Sequence, residues 1–295
     1  VVIPPASVHV TDALVRELVG AHCPQWRDRA VSKLGEGFDN VLFSLGEDLV
    51  VRLPRHTTGA ALLRNEQTWL PDLASRLALP VPEPLYLGEA GSLFPFPWSV
   101  VSRINGESGD HSCLASSRDN VERVGAFWRS LHVAAPPHAP RNPLRGIPLA
   151  HRASDFERRW REHTASPYDA ALRRVWDDGL SARPFSGDPL WIHGDLHPAN
   201  IIGRGGDIVG IIDFGDLTSG DPAGDLVSAW MIFDDAERRI LWNVYPCDAD
   251  TRRRAAAWAV LYCMFFLAIA DEGRPNFGVI AQRTMSAIAE DIELF

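Results

Sequence analysis

Trp191-Ile192-His193-Gly194-Asp195-Leu196-His197-Pro198-Ala199-Asn200 is followed thirteen residues later by Asp213, within Ile211-Ile212-Asp213-Phe214-Gly215-Asp216. The apolar runs here, Leu190-Ile192, Asn200-Ile202 and Ile208-Ile212, are short and isoleucine-rich, and so read as strands. Asp195, Asn200 and Asp213 are the polar groups embedded between them. The flanks have helical spacing. Upstream, Asn120 to His132 places Val121, Val124, Phe127, Trp128 and Leu131 on one face. A proline-rich loop then runs through Pro148, and Ser154-Asp155-Phe156-Glu157 has the spacing of a capping box. Downstream, helices are predicted near Asp221, Thr251 and Phe277. Asp221 beside Pro222 reads as an N-cap with proline at the first helical position, and a helix starting there would put Asp221 and Asp225 on one face.

Further out, the N-terminal third changes period. Ser32-Leu34, Val41-Leu45 and Leu49-Leu53 are β-type runs broken by Gly35-Glu36-Gly37 and Gly46-Glu47-Asp48, which predicts consecutive antiparallel strands. Ala60 to about Leu77 reads as a helix, with Leu62, Leu63, Glu66, Trp69, Leu70 and Leu73 at three- and four-residue spacing, ended by Pro80, Pro82 and Pro84. Leu85-Leu87 and Trp98-Ser102 complete a five-stranded sheet with one helix. The fold class is therefore α+β and bilobal: a small β-rich lobe over residues 1–102 and a larger, mainly helical lobe over 103–295.

Four residues separate Asp195 from Asn200, the interval of the kinase catalytic loop H-R-D-x-x-x-x-N, and Asp213-Phe214-Gly215 is a literal D-F-G. Phosphoryl transfer calls for these residue types because its barrier is lowered chiefly by position and charge. A carboxylate orients the hydroxyl nucleophile and takes its proton, and oxygen ligands hold Mg²⁺ on the phosphates. Asp195 suits the first role, Asn200 and Asp213 the second.

The pattern H-G-D-L-H-P-x-N with I-D-F-G-D resembles the aminoglycoside phosphotransferase family, relatives of choline and homoserine kinases with a protein-kinase-like fold. The resemblance spans most of the chain. It implies a nucleotide between the lobes, an N-lobe cation paired with a helix glutamate, and an acidic C-lobe that holds the substrate. Leu49-Val50-Val51-Arg52-Leu53 is similar to the third strand, so Arg52 stands where protein kinases carry their phosphate-contacting lysine, with Glu66 as partner. Arginine there departs from V-A-I-K, but a guanidinium can neutralise phosphate oxygens bidentately. Gly35 and Gly37 occupy the phosphate-loop position without the third glycine of G-x-G-x-x-G; taken alone, the same residues make an ordinary hairpin turn. Trp98 to Arg103, including Ser102, resembles the purine-binding linker. The resemblance also implies that Asp225 braces the catalytic loop, that Asp216 closes the motif, and that His193 and His197 shape the loop, His193 packing near Phe214. It further implies that terminal residues such as Glu290, Asp291 or Phe295 can reach an ammonium group of the substrate, with Asp234, Asp235 and Glu237 as a second acidic lining. Without the resemblance, the same tail reads as a solvated helix end.

Charge and composition narrow the alternatives. The 295 residues hold 38 Asp+Glu against 29 Lys+Arg, net −9, and Lys33 is the one lysine. No basic run exceeds Arg252-Arg253-Arg254, which argues against a nucleic-acid partner. Most of the negative excess lies after residue 206, and this suits a cationic acceptor. His-x-Asp-x-His could instead ligate a hydrolytic metal, but no histidine follows His197, so such a site would have to recruit carboxylates. Four scattered cysteines without C-x-x-C fit a reduced, cytoplasmic protein. Ala255 to Ala270 is 16 uncharged residues. As a helix it reaches about 24 Å against about 30 Å of hydrocarbon, and it reads as a core helix. The expectation is a Mg²⁺-dependent kinase using ATP or GTP on a hydroxyl of an aminoglycoside-like or other amino-bearing antibiotic. The rivals are a metabolite kinase of the choline or homoserine type and a nucleotide-binding pseudokinase regulator.

Overall fold

Alternating burial along the N-terminal third resolves into one antiparallel sheet. The computed structural model describes residues 5–111, 114–162 and 165–291. Strands β1 (Val31–Glu36), β2 (Asn40–Leu45), β3 (Leu49–Pro54), β4 (Pro84–Gly88) and β5 (Trp98–Ser102) lie in the order β1-β2-β3-β5-β4. Phe43, Leu45, Val51, Leu53, Trp98 and Val100 are buried against a helix that the sequence reading did not anticipate, α1 (Asp12–His22), through its Val15, Leu18 and Val19. Arg52 lies opposite Leu42 and Ser99 in the register, at the centre of the sheet. Helix α2 (Thr57–Ala74) begins earlier than its apolar pattern because His56 Nδ1 accepts the Gly59 N–H at 3.1 Å, which satisfies an otherwise orphaned donor. Ala74 ends it, short of Leu77. Its last turns carry Leu70 and Leu73 into a second, larger apolar cluster, while the helix also lies against β3, β4 and β5.

That larger cluster is helical. It is built by α3 (Arg118–Leu131), α4 (Ala153–Glu162), α5 (Asp169–Ser181), α6 (Ser228–Ile232), α7 (Asp235–Val244), α8 (Ala249–Asp271) and α9 (Pro275–Glu290). Helix α8 contains Ala255–Ala270 and is long and apolar enough to cross a membrane, but 72% of its most apolar window is buried inside the protein, as befits a core helix. Helix α4 starts at Ala153, directly after a 3-10 turn over Leu149–Arg152, so Ser154 is already inside the helix and forms no capping box. The capping box is at Asp234 and Glu237, at the start of α7. Asp221 does cap, accepting from Ala223 N, but what it caps is a 3-10 turn over Pro222–Gly224.

Short strands carry the motifs. Strand β7 (Leu190–Ile192) pairs with β10 (Thr218–Gly220), while β8 (Ile201–Arg204) pairs with β9 (Asp207–Ile211) and with β6 (Glu107–Ser108). The β8–β9 register sets Ile201 opposite Ile211, and Ile212 N donates to Asn200 O at 2.9 Å. The Asp195–Asn200 loop is thereby fixed beside Asp213.

Candidate active site

Asp225 organises the loop from behind. Fully buried, it accepts from the backbone N–H groups of His193 at 2.7 Å and Gly194 at 2.8 Å, and its Oδ2 lies 3.1 Å from His132 Nε2. His193 Nδ1 accepts from Asp195 N at 3.2 Å, which leaves Nε2–H to donate to Ile212 O at 3.0 Å, and the ring packs 4.5 Å from that of Phe214. Gly194 has φ 84°, and a Cβ there would sit 2.6 Å from Asp216 O, so only glycine lets these two segments meet. Asp213 is the one non-glycine residue among those described with positive φ, at 65°. Such a conformation persists only where the surroundings enforce it.

Asp195 stands at the front of this frame, with 27% of its side chain exposed. Arg145 Nη2 donates to its Oδ1 at 2.7 Å, and His197 Nε2 lies 3.3 Å from Oδ2. Tyr262 from α8 donates its hydroxyl to Gly194 O at 2.9 Å and lies 3.5 Å from Asp195 Oδ1. Burial alone would raise this carboxyl, but the charges of Arg145 and then His197 outweigh it and hold Asp195 below the usual carboxylate range, ionised. Asn200 Nδ2 donates to Asp195 O at 2.8 Å. His197 is wedged edge-on between Phe266 and Phe277. Asp216 accepts from Asn142 Nδ2 at 2.6 Å; burial pushes it up, against the Arg145 charge.

Arg52, buried at the centre of the sheet, reaches both motifs. Its Nη1 is bonded to Glu66 Oε1 of α2, and its Nη2 donates to Asp213 Oδ1 at 3.3 Å. Burial works against this guanidinium's charge, and Glu66 and Asp213 outweigh it, so Arg52 stays charged. Beside it opens a cleft of about 330 Å³ lined by Gly37, Val50, Arg52, Ser102, Ile202 and Asp213 among others. Ser102 is on its wall, its hydroxyl accepting from Glu83 N at 2.8 Å. Gly37 is on the wall too, whereas Gly35 is not, and a Cβ on Gly35 would meet open space. The turn at Gly37 is held by Arg55, which donates to the carbonyls of Gly37 (2.9 Å) and Phe38 (3.2 Å). Asp39, on the same turn, is pushed up to about 7 by burial and then by the Asp213, Asp216 and Asp195 charges. The lone lysine is outside this arrangement, pairing with Glu36 at 2.9 Å on the exposed side of β1.

The acidic residues expected to line an acceptor site are engaged elsewhere. Asp234 accepts from Glu237 N at 2.8 Å as a helix cap, and Asp235 pairs with Arg239 at 3.0 Å one turn along α7. Asp291 is buried, 3.1 Å from Arg238 Nε, and accepts from Trp230 Nε1 at 2.9 Å, which leaves it closed to a ligand. Glu290 is exposed and accepts from Ser286 Oγ at 2.9 Å; Phe295 lies outside the described residues.

Asn200 and Asp213 fit a magnesium ion bound jointly with a nucleotide. They offer an amide oxygen and a half-exposed carboxylate, and Mg²⁺ typically combines one or two such protein ligands with substrate phosphates. Anchoring the Asn200 nitrogen inside the loop leaves its oxygen for the metal. Among the described residues there is no group of three or more His, Cys, Asp or Glu that could hold a metal unaided. Arg145, Tyr262, Asn142, His132 and Asp39 were not singled out by sequence reasoning. For Arg145 the available signal was its place in Arg141-Asn142-Pro143-Leu144-Arg145-Gly146, a turn-rich segment between two helices.

A family model described as the phosphotransferase enzyme family, APH, matches residues 30–258. No curated protein sequence matches. Among solved structures, the chain is similar to aminoglycoside 2'-phosphotransferase-IIIa in its GDP complex, at TM-score 0.72 and 19% identity over 96% of this chain and 100% of that one. The GDP and kanamycin complex of APH(2")-IIIa aligns at TM-score 0.71 and 20% identity, over 94% and 97%. Macrolide 2'-phosphotransferase MphH from Brachybacterium faecium, an apoenzyme, aligns at TM-score 0.63 and 19% identity, over 93% and 98%. These likenesses establish the protein-kinase-like fold.

Proposed function

The chain belongs to the phosphotransferase enzyme family, with an alcohol group as acceptor, and from this we propose that it transfers the γ-phosphoryl group of ATP or GTP to a hydroxyl of an aminoglycoside-like or other amino-bearing antibiotic. One observation carries the reading: Asn200 is bonded to the Asp195 carbonyl and, through its own carbonyl, to Ile212 next to Asp213, and Arg52 joins Asp213 to Glu66. Asp195 accepts a hydrogen bond from the acceptor hydroxyl and takes its proton as the new O–P bond forms and the bond to the leaving β-phosphate oxygen breaks. Arg52 holds phosphate charge, with Glu66 fixing its fork. Asn200 and Asp213 would hold Mg²⁺, which when bound supplies charge neutralisation to the phosphates.

Two features support an amino-bearing acceptor. Asp39 and Asp213 line the cleft, and Asp213, Asp216 and Asp195 lie within electrostatic reach of Asp39; a kanamycin complex is known for a protein of the same fold. Asp291 gives no support to it, since it is closed off. The experiment is Asp195→Ala assayed for nucleotide binding and for turnover with a panel of aminoglycosides, macrolides, choline and homoserine. Nucleotide affinity within about twofold of wild type with turnover lost supports the assignment, and undiminished turnover refutes it. Tight nucleotide binding by the wild type without transfer to any acceptor would instead favour a regulator.

A further inference from the structure

We infer that Arg145 is a positioning residue for the transfer reaction, delivered to Asp195 by a rigid loop at residues 140–148; this rests on the reading of Asp195 as the hydroxyl-orienting carboxylate. Arg145 Nη2 occupies Asp195 Oδ1 at 2.7 Å. Its guanidinium lies 5.0 Å from the centre of the Tyr262 ring, and that residue's hydroxyl addresses Gly194 O and the same Oδ1.

The loop is tied down along its length. Thr218 Oγ1 donates to Pro140 O at 2.8 Å and Asp221 N to Gly146 O at 3.1 Å, while Arg152 Nη1 donates to Leu144 O at 2.8 Å. Leu144 N donates to Asn142 Oδ1 at 2.9 Å, and Asn142 Nδ2 donates in turn to Asp216 at 2.6 Å. The Gly146 backbone, at φ 64°, presses so closely on β10 that a Cβ on Gly220 would lie 1.9 Å from Gly146 O. The loop therefore brings two polar side chains, Asn142 and Arg145, to the two carboxylates Asp216 and Asp195.

A surface Arg–Asp pair of ordinary kind contributes little to stability and would not require this scaffold. A catalytic carboxylate has a different need. It must present one lone pair to the acceptor hydroxyl so that the hydroxyl oxygen is aimed at the γ-phosphorus, and a carboxylate on a single bond rotates freely. Arg145 on Oδ1 and His197 on Oδ2 fix that rotation before the acceptor arrives. The guanidinium exchanges no proton; it stays charged and holds Asp195 while the hydroxyl proton moves onto the carboxylate. Preorganisation of this sort lowers the barrier without contributing to nucleotide affinity.

The test compares wild type, Arg145→Ala, Arg145→Lys and Asp195→Ala by ADP or GDP formation from Mg²⁺-ATP and Mg²⁺-GTP, alone and with kanamycin or a macrolide, alongside nucleotide Kd and Tm. Arg145→Ala is expected to lower kcat by roughly 100-fold with Kd and Tm unchanged. Arg145→Lys should recover part of the rate, and guanidinium added to Arg145→Ala should restore part of it. Arg145→Gln, which keeps the side chain's bulk without its charge, replaces the alanine variant if that one fails to fold. Full turnover in Arg145→Ala beside an inactive Asp195→Ala overturns the inference alone. So does a loss that follows Tm and that neither lysine nor guanidinium restores. Full turnover in Asp195→Ala, or no nucleoside diphosphate formation by wild type under any condition, overturns the reading of Asp195 and the inference with it.

Discussion

Two carboxylate-rich regions of this molecule, the loops around Asp195 and Asp213 and the helices after Asp234, read alike in the sequence and fold to opposite ends. In the second, Asp234 caps its helix, Asp235 meets Arg239 one turn along, and Asp291 is sealed against Arg238 and Trp230. In the first, the partners come from distant segments, Arg52 and Arg145, and the carboxylates keep an exposed face, 50% for Asp213 and 27% for Asp195. Acidic composition therefore says little about where chemistry happens. What separates the regions is a carboxylate held by buried cations with one side left open.

Substitutions in each region sharpen that contrast. Asp213→Ala is expected to weaken nucleotide binding in the presence of Mg²⁺ by roughly 10–100-fold, and to leave Mg²⁺-free binding nearly unchanged, which calorimetry with and without the metal reads directly. Equal weakening in both conditions would mean that Asp213 does not hold the ion. Asp291→Ala should do the reverse. It strands the buried Arg238 charge and costs roughly 3–5 kcal/mol of stability by denaturant unfolding, with turnover per folded molecule unchanged. A turnover defect without a stability defect would return Asp291 to the site.

A further effect expected is a pH slope at Asp39. Its carboxyl is pushed up to about 7 in the folded protein, against about 3.9 in an unfolded chain. Between these values the folded state holds a proton that the unfolded state has lost, so this contribution to stability is complete below about 4 and disappears as pH rises through about 7. Asp39→Asn should remove that part of the decline in Tm over this range. An identical slope in the variant would assign the proton to another group.

How much of this was legible depends on the range of the contacts. The sheet was readable because Val41-Leu45 and Leu49-Leu53 are separated by an obvious turn, and the pairing is local. Ser154-x-x-Glu157 misled because the spacing of a capping box does not reveal that the chain at Leu149–Arg152 is already turning. Helix α1 escaped because Asp12–His22 lies outside every motif that guided the reading. Asp195, Asn200 and Asp213 were visible through linear spacing, as were Arg52 and Glu66 through the family resemblance. Arg145 and Tyr262 were not, since they meet Asp195 across sequence separations of 50 and 67 residues and carry no spacing signal. The closure of Asp291 was not legible for the same reason: the partner that neutralises it, Arg238, is 53 residues away.

The central claim is that Asp195 directs phosphoryl transfer onto a hydroxyl of an amino-bearing antibiotic. The most direct measurement is mass spectrometry of kanamycin and related antibiotics after incubation with the protein and Mg²⁺-ATP or Mg²⁺-GTP. The expected result is the gain of one phosphoryl group on an antibiotic with wild type and none with Asp195→Ala at equal nucleotide occupancy. The same product appearing with Asp195→Ala at the wild-type rate would contradict it.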